Sequence, residues 1–403
     1  MRSLKILYIL PAFQHPQVRG PNRHYHFIRE LSRRHRITLL ALQRSEIPES
    51  ALQEVEALTE RLFTFQPNGI SKVSRALARV PGLGASLTNK LELRDGIGQM
   101  KRAFQKLLRE QKFDVVLFHG KSVFDVIADG CDLPIVADFC DATSMRIRST
   151  MRYVALPKRA VLALRYLRFR KIEKELLRQA RAVAFISNRD RQAVNGTVKD
   201  SRIVPIGVDF EYWKRRSPNY DPECIVYTGV MDYGPNHDAA MYLLDRILPL
   251  VKRRVPQVKL FIVGRNPRPE LETCANALPE VTVTGFVADM RPYLESAAVM
   301  AAPLRYASGI QNKVLEAMSM GVPVVTSSVV GDGLRLDDRA EPPLSLADDP
   351  ETFADKVVEL MQNPEERSRL SRESRAFVER HFDWSNSAHI IEELCLNAVA
   401  QVT

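Results

Sequence analysis

Apolar residues along this chain of 403 gather in short runs, separated by longer stretches in which they recur every three or four positions. Short runs bounded by polar or small residues are the mark of buried parallel strands, and the wider period marks helices laid against a sheet. In the first half the runs fall at Leu4–Leu10, Arg36–Leu42, Val115–Phe118, Ile135–Ala137 and Ala182–Ile186, with a helix near Asn22–Arg33. In the second half they fall at Ile225–Thr228, Lys259–Val263, Val281–Thr284, Val299–Ala302 and Val322–Thr326, with helices such as Asn236–Arg254 and Asn312–Met320 between them. Strands alternating with helices predict parallel sheets covered on both faces, with ligands at the carboxyl ends of the strands. The fold class is α/β, and the length asks for two domains rather than one core. Val204-Pro-Ile-Gly-Val-Asp209 reads as a hinge and 210–222 as a polar linker, so the expected Rossmann-like domains span 1–208 and 222–382. A long helical stretch occupies 350–380, and 383–403, with a helix over roughly Ser385–Ala400, is expected to pack back across the hinge. Residues 66–98, with Pro67, Gly69, Pro81 and Gly84, read as an irregular basic excursion.

Composition narrows the class. The apolar start stops at Pro11 and lacks a small-residue cleavage site, so it reads as a first strand rather than a signal peptide. No apolar stretch reaches the roughly 18 residues a bilayer span requires. The five cysteines (Cys131, Cys140, Cys224, Cys274, Cys395) include no CxxC pair, which argues against a disulfide framework or a zinc site and fits a reducing cytoplasm. The net charge of +10 is lopsided: residues from Asp209 onward carry 21 Lys/Arg and 29 Asp/Glu, while those before carry 37 and 19. A field of that kind concerns partners rather than fold, and anionic lipid, phosphorylated substrates and nucleic acid all suit it.

The chemistry concentrates in Pro303–Thr326. A strand ending near Ala302 runs through Ser308-Gly-Ile310 into a helix, so free backbone N–H groups and the helix dipole favour an anion there. Lys313 in the first turn adds a point charge suited to a diphosphate. Glu316, three residues on and on the same face, can accept hydrogen bonds from vicinal hydroxyls such as those of a ribose. Gly321-Val-Pro then ends the helix and opens the next strand.

This segment resembles the donor-site signature EA-x-x-x-G-x-P-V-V of retaining GT-B enzymes of glycosyltransferase family 4. The resemblance extends to the hinge, Tyr227-Thr-Gly229, Phe261-Ile-Val-Gly264 and Val283-Thr-Gly-Phe-Val287, most of residues 180–330. It implies a GT-B fold with two Rossmann-like domains facing a central cleft. The second domain would bind a nucleotide-sugar, a UDP-sugar in first place, and the first domain an acceptor. It further implies that Glu316 binds the nucleotide ribose, that the loop of Ser308, Gly309 and Ile310 meets the donor phosphates and sugar, and that Gly285, Phe286 and Val287 lie near the base. Gly229 and Gly264 complete the donor set. This sequence departs from the pattern twice. Ser308 stands where the family has an earlier Glu, and Val230–His237 lacks the family's Arg and Lys, a charge Lys313 can supply. The Gly-x-x-x-Lys-x-x-Glu arrangement resembles a subgroup linked to exopolysaccharide assembly. A front-face route, in which the leaving phosphate helps deprotonate the acceptor, goes with the resemblance. No metal or other cofactor is expected, since no Asp-x-Asp triplet occurs.

In the first half, candidates for acceptor contact are Gly20 and Asn22 in the first loop, and for catalysis His119, Asp138 and Asp141 at strand ends. His119 resembles the family's histidine that touches the transferred sugar; a strand-end cap is the plainer alternative, as turn or N-cap roles are for the two aspartates. Pro157–Arg181 carries nine basic residues against Glu173 and Glu175, interleaved with apolar ones. Such a helix either lies on an anionic membrane surface, with 66–98 as a second contact, or is a domain helix with a solvated basic face. The expected partners are thus a nucleotide-sugar donor, a glycan or polyprenyl-linked acceptor and an anionic membrane at the inner face of the plasma membrane. Three other readings stay open: a non-catalytic glycan- or lipid-binding scaffold, a sugar-nucleotide epimerase, and a nucleic-acid binder, which lacks any aromatic-rich basic motif.

Overall fold

The computed structural model describes residues 2–18, 22–66, 84–151, 154, 156–194, 200–307, 310–336 and 341–401, apart from the side chains of 84–92 and 157. The chain divides into two compact units. One comprises Met1–Ile186, Arg191–Val204 and Ser385–Thr403, the other Ser187–Asp190 and Pro205–Trp384.

The first unit is built on a parallel sheet of β1 (Lys5–Leu10), β2 (Arg36–Leu42), β3 (Arg61–Phe65), β4 (Val115–His119), β5 (Ile135–Cys140), β6 (Ala182–Phe185) and β7 (Asp200–Ile203). Spatial order is β3-β2-β1-β4-β5-β6-β7. The chain leaves the sheet at β3 and returns to its middle through the helix Gly84–Glu110, so the order reverses between β1 and β4. Helices cover the sheet because its central strands are apolar on both faces: Ile6, Leu7, Ile9, Val115, Val116 and Leu117 are fully buried. The last helix, Trp384–Ala400, fixes itself to this unit through Glu392, a buried carboxylate that accepts from His35 Nε2 at 2.9 Å and pairs with Arg34 at 2.6 Å.

The second unit repeats the plan with β8 (Asp221–Thr228), β9 (Lys259–Val263), β10 (Val281–Val283), β11 (Ala297–Ala302), β12 (Val324–Thr326) and β13 (Ser345–Leu346), in the order β10-β9-β8-β11-β12-β13. Its reversal lies between β8 and β11. Two glycines are dictated by close approach. A Cβ on Gly264, whose φ is +145°, would sit 1.8 Å from the Gly229 carbonyl oxygen, and one on Gly207 would sit 2.4 Å from the Trp384 indole.

Several boundaries differ from the sequence expectation. Asn236–Arg254 is not one helix: Gly234–Tyr242 passes through a wide turn at Leu243–Ile247 into Leu248–Arg254, because Pro249 has no N–H to continue the ladder. The stretch 350–380 is likewise two helices, Pro350–Gln362 and Pro364–His381, with Asn363 accepting from the N–H groups of Glu365 and Glu366 to start the second. Part of 66–98 is helical from Gly84 onward, while 67–83 lies outside the described residues. All five cysteines are free thiols. Among the described residues, no helix is long and apolar enough to cross a membrane.

Candidate functional site

In the second unit, Gly229, Gly264 and the helix Asn312–Ser319 meet at the carboxyl ends of β8, β9 and β11, the switch point of the sheet. Gly229 N–H donates to Val263 O at 3.0 Å, and a Cβ on Gly229 would crowd Asn236 Nδ2 at 2.8 Å and Lys313 Nζ at 3.5 Å. Bare backbone therefore faces the lysine. Lys313 is aimed by its helix: its ammonium donates to Asn236 Oδ1 and stands 5.3 Å from the centre of the Tyr227 ring. Asn236 is itself held by donating to Val230 O at 3.0 Å. Glu316 lies one turn on, and Lys313 is the charge that acts on it. Ile310 is nearly buried, Gly285 has φ +66°, Phe286 is exposed and Val287 is half-buried on the loop after β10. Ser308 and Gly309 lie outside the described residues.

Arg265 follows Gly264 directly and escaped the reading of the sequence. Its carbonyl accepts from Met231 N–H at 2.9 Å, which ties it to the loop after β8, and its Nε is buried with no hydrogen-bond partner among the described residues. A buried donor without a partner costs about 1–3 kcal/mol unless a ligand satisfies it. The Val230–His237 loop thus lacks its own cation but has two neighbours, Lys313 and Arg265.

Burial pushes the Lys313 ammonium down to about 7 and the Glu316 carboxyl up to about 7, each restrained in part by the other's charge. Neither group has enough charge stabilisation within the chain to offset its burial, a pattern that clusters at functional sites. The sign is fixed for Glu316. Its folded-state value lies above the ordinary 4.5, so the folded chain holds a proton that the unfolded chain has lost, and stability falls as pH climbs from about 4.5 to about 7. In the ligand-free protein Glu316→Gln should therefore gain on the wild type between pH 5 and pH 8, by about 1–2 kcal/mol once solvent access is allowed for. Urea unfolding at the two pH values checks this; an advantage that does not change with pH contradicts it.

In the first unit, β1, β4, β5 and the helix Arg23–Leu31 bring together Tyr8, Arg23, His24, His119 and Asp138. Nearly every residue of that helix is buried, including Arg23, His24 and His26. Asp138 accepts from Arg23 Nε at 2.9 Å and from Cys140 N–H at 2.9 Å, and its side chain is fully buried. The Arg23 guanidinium, with His119 and these bonds, holds its carboxyl below the usual range despite burial. His119 Nδ1 donates to the Asp138 carbonyl at 2.9 Å, which leaves its lone pair on Nε2. Burial lowers both His119 and His24 below the ordinary imidazole value, so both are neutral at pH 7. His24 stacks 4.0 Å from His119 and is held by Tyr8 Oη at Nδ1, while its Nε2 has no hydrogen-bond partner among the described residues.

The three aspartate and histidine candidates thus separate. His119 is half-buried and presents an acceptor nitrogen suited to a hydroxyl. Asp138, its side chain fully buried, holds Arg23 and, through its backbone carbonyl, His119. Asp141 pairs with Arg146 at 3.0 Å and accepts from Thr143 Oγ1 at 3.0 Å, the turn role that competed with catalysis. Beside it, Lys121 donates to Phe139 O at 3.0 Å and to Asp141 O at 2.5 Å, buried where sequence reading gave no signal. Asn22 precedes the helix Arg23–Leu31 without a side-chain capping bond, and Gly20 lies outside the described residues. Ligand atoms of His24, His119 and Asp138 fall within 4.8 Å of one another, but Arg23 already neutralises the carboxylate that a cation would need.

Residues 222–363 match the family model of glycosyl transferases group 1. The second unit is a glycosyltransferase domain. The match covers the elements that carry Gly229, Gly264, Lys313 and Glu316, so the glycosyltransferase domain includes the whole of the site at the β8–β11 switch point. No curated protein matches the chain. Among solved structures it is similar to Anabaena HepE in complex with UDP and glucose, at 14% identity over 97% of this chain and 98% of that one, with a TM-score of 0.61. It is similar also to the sucrose-phosphate synthase of Thermosynechococcus elongatus, at 17% identity over 98% and 100%, TM-score 0.69. TarM aligns at 9% identity over 97% and 98%, TM-score 0.66. These likenesses concern the fold, which is GT-B, with the glycosyltransferase domain as its second Rossmann-like half.

Proposed function

We propose that the protein moves a sugar from a nucleotide-diphosphate donor, a UDP-sugar in first place, to a glycan or polyprenyl-linked acceptor. The observation that carries this reading is the Lys313–Glu316 pair beside the bare backbone of Gly229, with Arg265, whose Nε has no partner among the described residues, directly after Gly264. Two cations suit a diphosphate, and a carboxylate one turn from the lysine suits vicinal hydroxyls. HepE was crystallised with UDP and with UDP-glucose, which favours uridine as the base. In this reading the donor's C1–O bond to phosphate breaks and a C1–O bond to the acceptor hydroxyl forms. The acceptor proton passes to the departing diphosphate on the same face, and configuration is retained, as in family 4. His119, neutral and with Nε2 free, accepts a hydrogen bond from a sugar hydroxyl. Cell-surface or exopolysaccharide synthesis is the setting that fits a polyprenyl-linked acceptor, with the protein peripheral at the inner face of the membrane.

Incubation with a panel of UDP- and GDP-sugars and a polyprenyl-phosphate-linked saccharide tests the assignment. Release of free nucleotide together with a lengthened saccharide is expected; an isomerised donor without transfer would mean an epimerase, and binding without either product a scaffold. Because Lys313 and Arg265 supply the positive charge, turnover should persist in EDTA. Complete loss that magnesium restores would contradict that assignment.

A further inference from the structure

Among the described residues, seven large apolar side chains are strongly exposed, and four of them lie in the first half of one helix, Leu156–Gln179. Leu156 is 78%, Val161 59%, Leu164 71% and Leu167 61% exposed. The core does not need them, since the same helix already turns Leu176 inward and packs Ile172 and Leu177 against the first unit's sheet. At 3.6 residues per turn, Leu156, Leu164, Leu167, Lys171, Lys174 and Arg178 share about one quarter of the helix circumference. The outward face is therefore apolar toward its N-terminus and basic toward its C-terminus. No acidic residue occurs between Leu156 and Ile172. The C-terminal end borders a groove in which Phe124, Ala128 and Ile172 join Lys171 and Lys174, with Asp125 and Glu175 also on its wall.

A solvated helix face has no use for four exposed large aliphatic groups, whose hydration each costs on the order of 1–2 kcal/mol relative to burial. Charge points to what covers them. Lys158, Arg159, Arg165, Arg168, Arg170 and Lys171 follow one another with no interleaved acid and match a surface of phosphates, and Lys and Arg stems lie along apolar surface while their heads stay wet. We propose that the outward face of Leu156–Gln179 docks on an anionic lipid surface. Leu156, Leu164 and Leu167 enter the interface, and Lys171 and Lys174 lie on headgroup phosphates, while Arg178 stays paired with Glu175 at 2.6 Å. The proposal deepens the reading of a lipid-linked acceptor, and rests on it for purpose but not for binding.

Sedimentation of the full chain with vesicles tests it. Binding is expected to vesicles of phosphatidylcholine mixed with phosphatidylglycerol and not to phosphatidylcholine alone. Lys171→Gln and Lys174→Gln should each weaken the partition about fivefold, and Leu164→Ser/Leu167→Ser about tenfold or more. All three leave Tm and UDP affinity unchanged. Equal binding to both kinds of vesicle, or variants that bind like the wild type, overturns the docking face. So does self-association that Leu164→Ser/Leu167→Ser abolishes while the vesicles are ignored. UDP titration of the same samples keeps the two readings apart: lost vesicle binding with intact UDP binding strikes the docking face alone, and the reverse strikes the donor site alone.

Discussion

Glu316→Gln is expected to raise the Kd for UDP about 10–100-fold without harming the fold. A carboxylate accepting from two vicinal hydroxyls makes charge-assisted bonds, and losing their charge costs about 1.5–3 kcal/mol. Glutamine keeps the shape and one acceptor, so the change isolates charge from packing. Two features separate this role from a structural one. Burial holds the Glu316 carboxyl high and leaves it with Lys313 as its counter-charge, so the variant gains stability at pH 8 while it loses ligand. Moreover, the loss should vanish with 2′,3′-dideoxy-UDP, which lacks the hydroxyls: wild type and variant then bind alike. Calorimetric titration of both nucleotides against both proteins reads the whole cycle, and an unchanged affinity for UDP would mean the carboxylate faces something other than the ribose.

The other large effect belongs to the first unit and concerns stability. Arg23 and Asp138 are an ion pair at 2.9 Å with side chains 4% and 0% exposed. Asp138→Asn keeps the acceptor for Cys140 N–H but leaves a buried guanidinium without a counter-charge, which costs about 3–5 kcal/mol. For a unit of this size that corresponds to a fall in Tm of roughly 6–20 °C, read by thermal unfolding. The pair itself is not the source of net stability, because desolvation consumes most of its attraction. Arg23→Leu/Asp138→Asn should accordingly recover part of what the single change loses. A single variant as stable as the wild type would show that water reaches Arg23.

The central strands were legible in the sequence for one physical reason: their signals are local. β1, β2, β4, β8, β9 and β11 are buried on both faces and read as unbroken apolar runs. The strands that went unread, β3, β7 and β13, are the outermost of their sheets; β7 is Asp-Ser-Arg-Ile, whose polar side chains suit a half-solvated edge and hide the strand. Lys313 and Glu316 were readable because three residues on one helix fix their relation. Arg265 was not, since its meaning depends on β8 lying beside β9. The first unit's cluster was harder still. Arg23 meets Asp138 across 115 positions and His35 meets Glu392 across 357, and no spacing rule links such residues before the sheet exists. Asp138 is the same case, because only the fold shows the guanidinium from which it accepts.

Both units follow one strand order, with the reversal between the first and fourth strands of each. In the second unit that switch point collects Lys313, the Glu316 carboxylate and glycine backbone, and the central claim is that this constellation binds a nucleoside diphosphate. Isothermal titration of UDP into the intact chain, in EDTA, tests it most directly. The expected result is saturable binding at one site, weakened by Glu316→Gln and by Lys313→Met alike. The absence of any binding by UDP, GDP or their sugars to the folded wild type would contradict it.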